Sequence, residues 1–386
     1  MSTLTRTPDQ RPQRSAGPVN ALTAGQLPRW ARPAALTAAV VIGAVVALAS
    51  GWGWAAFAVV TAVLFLVGHT SWAYVVEGRR HAQDSLWSGL VWVAFLLAVI
   101  PLVSIIWTVV SVGAPTLVHP GFLTQDMSSV TGLADRATVQ RGAPLSGGIG
   151  HALIGSLLIT VAATVISVPI GLLTSIWLVE YSRGNWFTRM ITFLVDVMTG
   201  IPSIVAGLFA AGIMLTIFNW VLGGVSGGKQ IMGITAAIAL SVLMIPVVVR
   251  STEEMLRVVP NELREASYAL GIRKWRTIFK VVIPTAISGI ASGVTLAIAR
   301  VVGETAPILV TAGVATQVNW NLFHGWMMSL PVFIYRQLMN PTAPAAAQPS
   351  TDRAWGAALV LIVVVMGLNL VARLVARRFA PKTSGR

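Results

Sequence analysis

An arginine and a glutamate stand four residues apart inside an otherwise apolar run, Ala299-Arg300-Val301-Val302-Gly303-Glu304-Thr305-Ala306-Pro307. On a continuous helix that spacing puts both side chains on one face, where they can pair. An Arg near the bilayer centre costs about 2.5–3.5 kcal/mol on insertion scales, so this face is expected to turn toward the bundle or an aqueous path. Two chemistries fit. The pair is an internal salt bridge that sets helix packing, or Arg300 attracts an oxyanion and Glu304 holds the guanidinium when the site is empty. The planar fork of guanidinium donors suits a tetrahedral oxyanion. Gly303 and Pro307 predict a hinge beside the pair, because Pro307 has no amide to donate and strains the preceding turn. Asp196, near the start of another apolar run, either hydrogen-bonds neighbouring helix ends or lines the same path. Pro202, in Gly200-Ile201-Pro202-Ser203, is expected to break or kink that helix near one membrane face.

A second candidate is a polar island between long apolar runs, from Asn261 to Pro284. Asn261 after Pro260 predicts a helix start, with the Asn side chain accepting from a free first-turn amide. A short helix to about Leu270, a left-handed stop at Gly271 and a second helix from Ile272 ending before Pro284 follow from residue preferences. The result is helix, elbow, helix. Glu262, Arg264, Glu265, Arg273, Lys274, Arg276 and Lys280 make it too charged for lipid, while Leu263, Ala266, Tyr268, Ala269, Trp275, Ile278 and Phe279 give it an apolar face. Either it docks a soluble partner or it is a solvated loop rich in positive charge.

The remaining chemistry is mostly exclusion. The chain has no Cys, which rules out disulfides, thiol catalysis and Cys-ligated metal. His69, His81, His119, His151 and His324 show no metal-ligand spacing. Gly223-Gly-Val-Ser-Gly-Gly228-Lys229-Gln230 approaches a phosphate-binding loop, but Gln230 stands where a magnesium-binding hydroxyl belongs and no strand precedes it. ATP chemistry is therefore expected to belong to another chain, with no cofactor bound directly.

These residues are carried by 386 positions of which 55% are hydrophobic and 10% charged, the composition of an all-α polytopic membrane protein. About eight spans are expected: 34–50, 54–76, 86–112 with an interruption at Pro101, 151–181, 191–222, 231–250, 286–313 and 355–374. A cytoplasmic basic tail (1–33), a transmembrane hairpin (34–85) joined by Gly51-Trp52-Gly53, a main transmembrane domain (86–376) and a second basic tail (377–386) make up the domain order. The long N-terminal polar stretch and the apolar span that follows at once argue against a cleaved leader near Ala47–Ala49. Residues 113–150 are too long for a turn, and the semi-apolar stretch 323–335 is expected at the membrane interface. Of the 27 Lys and Arg residues, only Arg136, Arg141, Lys229, Arg336 and Arg353 fall outside when both termini are placed inside, with Arg300 in the membrane. That asymmetry follows the positive-inside rule, so the net charge of +14 describes membrane topology rather than nucleic-acid binding.

Glu265-Ala266-Ser267, then Gly271, then Val281-x-Ile283-Pro284 resembles the EAA loop of ABC-importer permeases, with Ser267 and Val281 in place of the commoner Ala and Ile. Residues 299–307, Gly148-Ile149-Gly150-His151 and Gly200-Ile201-Pro202-Ser203 together resemble the A-type permease of bacterial phosphate-specific (Pst) importers. The resemblance covers about residues 147–335 and implies a MetI-like six-helix core, to which spans 1 and 2 are additional. It implies that Glu265, Ala266, Ser267, Gly271 and Pro284 couple to an ATPase, and that Arg300, Glu304 and Asp196 belong to the translocation path. It further implies a phosphate importer with a second, C-type permease, a dimeric ATP-binding subunit carrying ATP and magnesium, and an extracytoplasmic phosphate-binding protein. Other readings are an ABC permease for sulfate, molybdate or phosphonate, or a secondary transporter or scaffold working alone.

Overall fold

In the computed structural model, residues 27–28, 30–50, 54–182, 184–221 and 231–379 are described. The N-terminal tail to residue 26, the Gly51–Gly53 connection, Arg183, the Gly223–Gln230 loop and the last seven residues lie outside them. The described chain is helical and without strands, and eight of its helical stretches are long and apolar enough to cross a membrane, the number expected. It divides into two compact units, Met1–Ile105 and Ile106–Arg386, with the boundary inside one long helix.

The first unit holds α1 (Ala31–Ser50), α2 (Trp54–Glu77) and most of α3 (Arg79–Leu117). Gly43 of α1 lies so close to Thr61 of α2 that a Cβ would collide with the Thr hydroxyl. Gly78, at φ +87°, supplies the whole turn between α2 and α3, a conformation open to glycine alone at low cost. The helix runs through Pro101 unbroken and reaches Leu117, so the expected interruption is absent.

The second unit is built on α5 (Gly150–Ile176) and α8 (Gly233–Val258), which pack along their length. Small residues permit this: Gly171 leaves no room for a Cβ against Val248. Ser175 Oγ donates to the Gly171 and Val249 carbonyls at 2.7 and 2.9 Å. Around this pair stand α6 (Trp186–Thr199), α7 (Ser203–Val221), α11 (Ile283–Val302), α12 (Ala306–Thr311), α13 (Leu330–Met339) and α14 (Gln348–Phe379), numbered so that α4, α9 and α10 take the segments below. Pro202 does break its span, into α6 and α7. The next expected span also breaks: α11 ends at Val302 and α12 begins at Ala306, where a single helix to Gly313 with a bend was expected. Pro307 falls in the first turn of α12, where a proline costs no hydrogen bond, so the chain restarts instead of bending.

The segment between α3 and α5 contains α4 (Gly132–Arg141), capped by the Thr131 hydroxyl and ended by Gly142 at φ +66°. Its Asp135 meets Arg353 of α14, and both side chains are 0% exposed. Arg353 donates to both Asp135 oxygens at 2.9 and 2.6 Å, to the Ser146 carbonyl and to Ser350 Oγ. The stretch 323–335, expected at the membrane interface, is divided: Phe323, Trp326 and Tyr335 are exposed, and the residues between Trp326 and Ile334 are buried. Met327, Leu330, Val332 and Phe333 are buried with Phe122, Ile149 and Leu240 in one core, because the chain turns inward after Gly325.

Candidate functional site

The polar island folds as α9 (Asn261–Ala269) and α10 (Lys274–Thr277), with Gly271 between them at φ +74°. Only glycine occupies that region cheaply, and the Ile272 amide beyond it closes onto the Ser267 carbonyl at 3.2 Å. Gly271→Val is expected to strain the stop by about 1–2 kcal/mol, raising hydrogen exchange at the Ile272 amide about tenfold while the spans stay protected.

Two local expectations change. Pro260, not Asn261, is the N-cap, and the Asn261 side chain instead accepts from Arg264 at 3.2 Å. Pro284 does not end the second helix. A π turn, Ile278–Val282, shifts the ladder so that the Ile283 amide bonds to Ile278 O, and Pro284 enters the first turn of α11 where its missing N–H is not needed. Lys274–Val302 is therefore one helical stretch from the elbow to just past Arg300.

The elbow is held rigidly from behind. Ser267 Oγ and Thr277 Oγ1, both buried, hydrogen-bond at 2.8 Å and pin α9 to α10. Arg264 reaches Glu180 Oε1 with Nε and Nη2 at 3.0 and 2.9 Å, and donates to the Leu256 and Val259 carbonyls at 2.9 and 2.6 Å. One guanidinium thus caps the end of α8 and ties α9 to a second π turn, Trp177–Tyr181, at the end of α5. The Lys274 ammonium lies 5.0 Å from the Tyr181 ring centroid on the same side. Ile278, expected on the surface, is buried, and Arg264 is a half-buried latch.

What faces outward is Glu262, Glu265, Ala266 and a set of large apolar side chains: Leu263, Tyr268, Leu270 at 80% exposure, Trp275 at 50% and Phe279. Arg273, Lys274, Arg276 and Lys280 are exposed beside them, so apolar knobs flanked by charges of both signs stand on a braced, two-helix projection, a surface suited to docking in a groove.

Asp196 on α6 is ion-paired to Arg250 of α8. Arg250 also donates to Glu253 at 2.8 Å, and the buried Glu253 accepts Arg257 at 2.6 Å. This four-membered chain fastens the amphipathic α6 to the end of α8. Arg300 and Glu304 behave differently. Because α11 stops at Val302, the four-residue spacing does not place them on one helical face, and among the described residues neither side chain has an ion pair or hydrogen bond. Arg300 is exposed and Glu304 half-buried at the broken end. Gly303 caps α11, and Pro307 packs against Gly207 of α7, where a Cβ would collide with the Pro307 backbone. Pro202, Gly303 and Pro307 thus all sit at breaks between helices, and the two broken helices meet through α7 and α12.

Glu180 was not among the expected residues, although it is the sole acidic side chain in the apolar run from His151 to Tyr181. A lone buried carboxylate at a span's end signals a cationic partner.

Comparison with known proteins adds the following. The family described as binding-protein-dependent transport system inner membrane component matches residues 167–385. The phosphate transport system permease protein PstA 1 of Mycobacterium tuberculosis (strain ATCC 25618 / H37Rv) is 43% identical over 297 residues, 77% of this chain and 88% of that protein. PstA of Haemophilus influenzae is 36% identical over 299 residues, 76% and 94% of the two chains. Among solved structures, an inward-facing form of the MetNI methionine ABC transporter aligns over 59% of this chain and 94% of its own, at 19% identity and a TM-score of 0.45.

Proposed function

Since the chain belongs to the family of PstA phosphate transport permeases, within the binding-protein-dependent inner-membrane components, we propose that it forms half of the membrane path of an ATP-driven phosphate importer and converts ATPase motion into alternating access at Arg300. It is a multi-pass inner-membrane protein and a permease subunit rather than an enzyme. The observation that carries the mechanism is the single helical stretch Lys274–Val302, which joins the exposed elbow to Arg300.

In this reading α9 and α10 insert into a dimeric ATP-binding subunit, which supplies ATP and magnesium. A second permease of the C type completes the path, and an extracytoplasmic phosphate-binding protein delivers the cargo. The basic residue distribution supports cytoplasmic termini and a cytoplasmic elbow. When the ATPase closes, the braced elbow moves as a unit. α8 follows through Arg264 and α11 through the continuous backbone, so the end of α11 swings against α12 at the Gly303–Thr305 break. Arg300, without an ion pair or hydrogen bond among the described residues, offers all five donors to the oxyanion.

ATP-dependent uptake of radiolabelled phosphate and sulfate by vesicles holding the assembled complex tests this. Phosphate uptake without sulfate uptake is expected in the wild type. Arg300→Gln is expected to lose at least about tenfold, the equivalent of one charge-assisted hydrogen bond, with the ATPase still copurifying. Unchanged uptake in the variant would make Arg300 a packing residue, and sulfate uptake would reassign the cargo.

A further inference from the structure

The first unit contains a cavity of about 450 Å³ between α1, α2 and α3 that neither the elbow nor the Arg300 region uses. Its body is apolar, lined by Leu36, Phe65, Trp92, Leu96 and Ile100 among others. On α3 the lining runs from Ser85 to Ile100, about 22 Å at 1.5 Å per residue, enough to take a hydrocarbon chain of one leaflet, roughly 15 Å deep.

The cavity is not apolar throughout. Arg32, His69 and Ser85 line both it and an adjoining polar recess of about 300 Å³ that also includes Leu27 and Glu77. His69 is 6% exposed, and its Nε2 has no hydrogen-bond partner among the described residues. Thr61 Oγ1, farther along the lining, is likewise buried and unpartnered. Arg32 is exposed and makes no ion pair among the described residues. Glu77, the opposing charge in the recess, accepts the Leu27 amide at 2.6 Å, and Arg79 and Arg80 open α3 just after it. A buried imidazole nitrogen without a partner costs free energy unless a ligand supplies one. The recess thus combines an unpaired guanidinium and an unsatisfied imidazole with an apolar slot one chain deep.

We propose that this cleft is a specific site for an anionic phospholipid: one acyl chain lies along α3 in the slot, Arg32 binds the phosphodiester, and His69 Nε2 bonds an oxygen of the headgroup or ester region. Water is a poorer occupant, because the slot beyond the recess offers it few partners. The additional hairpin then serves as a lipid-binding module.

Native mass spectrometry of the full chain, and of the assembled complex, titrated with dioleoyl phosphatidylglycerol or dioleoyl phosphatidylcholine, tests it. One phosphatidylglycerol is expected to remain bound to both at about fivefold lower lipid concentration than phosphatidylcholine, the preference one cation gives at a membrane surface. Ala62→Trp, which fills the slot, is expected to lose the retained lipid, and the exposed Arg32→Gln to retain both lipids equally. Equal retention of the two lipids by the wild type, or undiminished preference in Arg32→Gln, overturns the proposal. So does lipid held by the chain alone but lost on assembly, which would assign the slot to a helix of another subunit.

Discussion

Arg264→Ala is expected to lower energised phosphate uptake about a hundredfold while the chain remains in the membrane and the elbow's outer face remains intact. The variant removes two bonds to Glu180 and the cap on the Leu256 and Val259 carbonyls. It leaves the Glu180 carboxylate, only 8% exposed, without its cation, and breaking such a buried pair costs about 3–5 kcal/mol. The tie between the elbow and the end of α5 is lost, so movement of α9 no longer reaches α5 and α8 together. A purely structural role is separated from a coupling role by Glu180→Leu/Arg264→Leu. Replacing both partners is expected to restore thermal stability, because no unpaired charge remains, yet to leave uptake low because the hydrogen-bonded tie is still missing. Recovery of uptake along with stability would show that Arg264 only supports the fold.

The second large effect is expected on the opposite segment. Arg353→Met should destabilise the packing of α4 on α14 by about 3–5 kcal/mol, since Asp135 would be left as a fully buried charge. The readout is limited trypsin digestion: Arg136 and Arg141 lie on α4 itself and are exposed, so loosening of that helix should raise cleavage there more than a hundredfold before the spans unfold. Asp135→Leu/Arg353→Met should return cleavage close to the wild-type rate. If the single variant stays resistant, the pair is not what holds the segment.

Some features were legible from single residues, although Asn261 as a cap and Pro101 as an interruption were not borne out. Eight apolar runs of sufficient length became eight helical spans, Gly271 became a left-handed stop, and Pro202 a break, because each depends on a property of one residue or on a simple length. The elbow's outward charge and apolar face were legible for the same reason. Asp196 was legible as a candidate, but its partner was not, because Arg250 lies 54 positions away on another helix. Glu180 and Arg264 are 84 apart and Asp135 and Arg353 are 218 apart, so no local pattern joins them. The expected Arg300–Glu304 face failed through a different cause. Its spacing argument assumed an unbroken helix, and Gly303, read as a flexible point inside a span, ends α11 instead. Pro284 misled in the opposite direction, because a preceding π turn removed the conflict that proline normally creates.

That π turn makes the elbow's orientation a matter of residue counting. Ile278–Val282 holds one residue more than an α turn would need, so the helix is wound out of phase by one position between α10 and α11. Deleting any one residue from it would let an ordinary α-helix form, with good local geometry and little loss of burial. The elbow would then point nearly as before, because five residues of a π turn sweep about the same angle as four of an α turn, whereas deleting one residue from the regular part of α11 would rotate it by about 100° about the helix axis, carrying Ser267 away from its fixed neighbours and turning the Glu265 face to one side. The regular helix between π turn and span is thus an angular setting written as chain length, where an insertion or deletion is felt as a misalignment, while the π turn itself can lose a residue with the elbow still aimed.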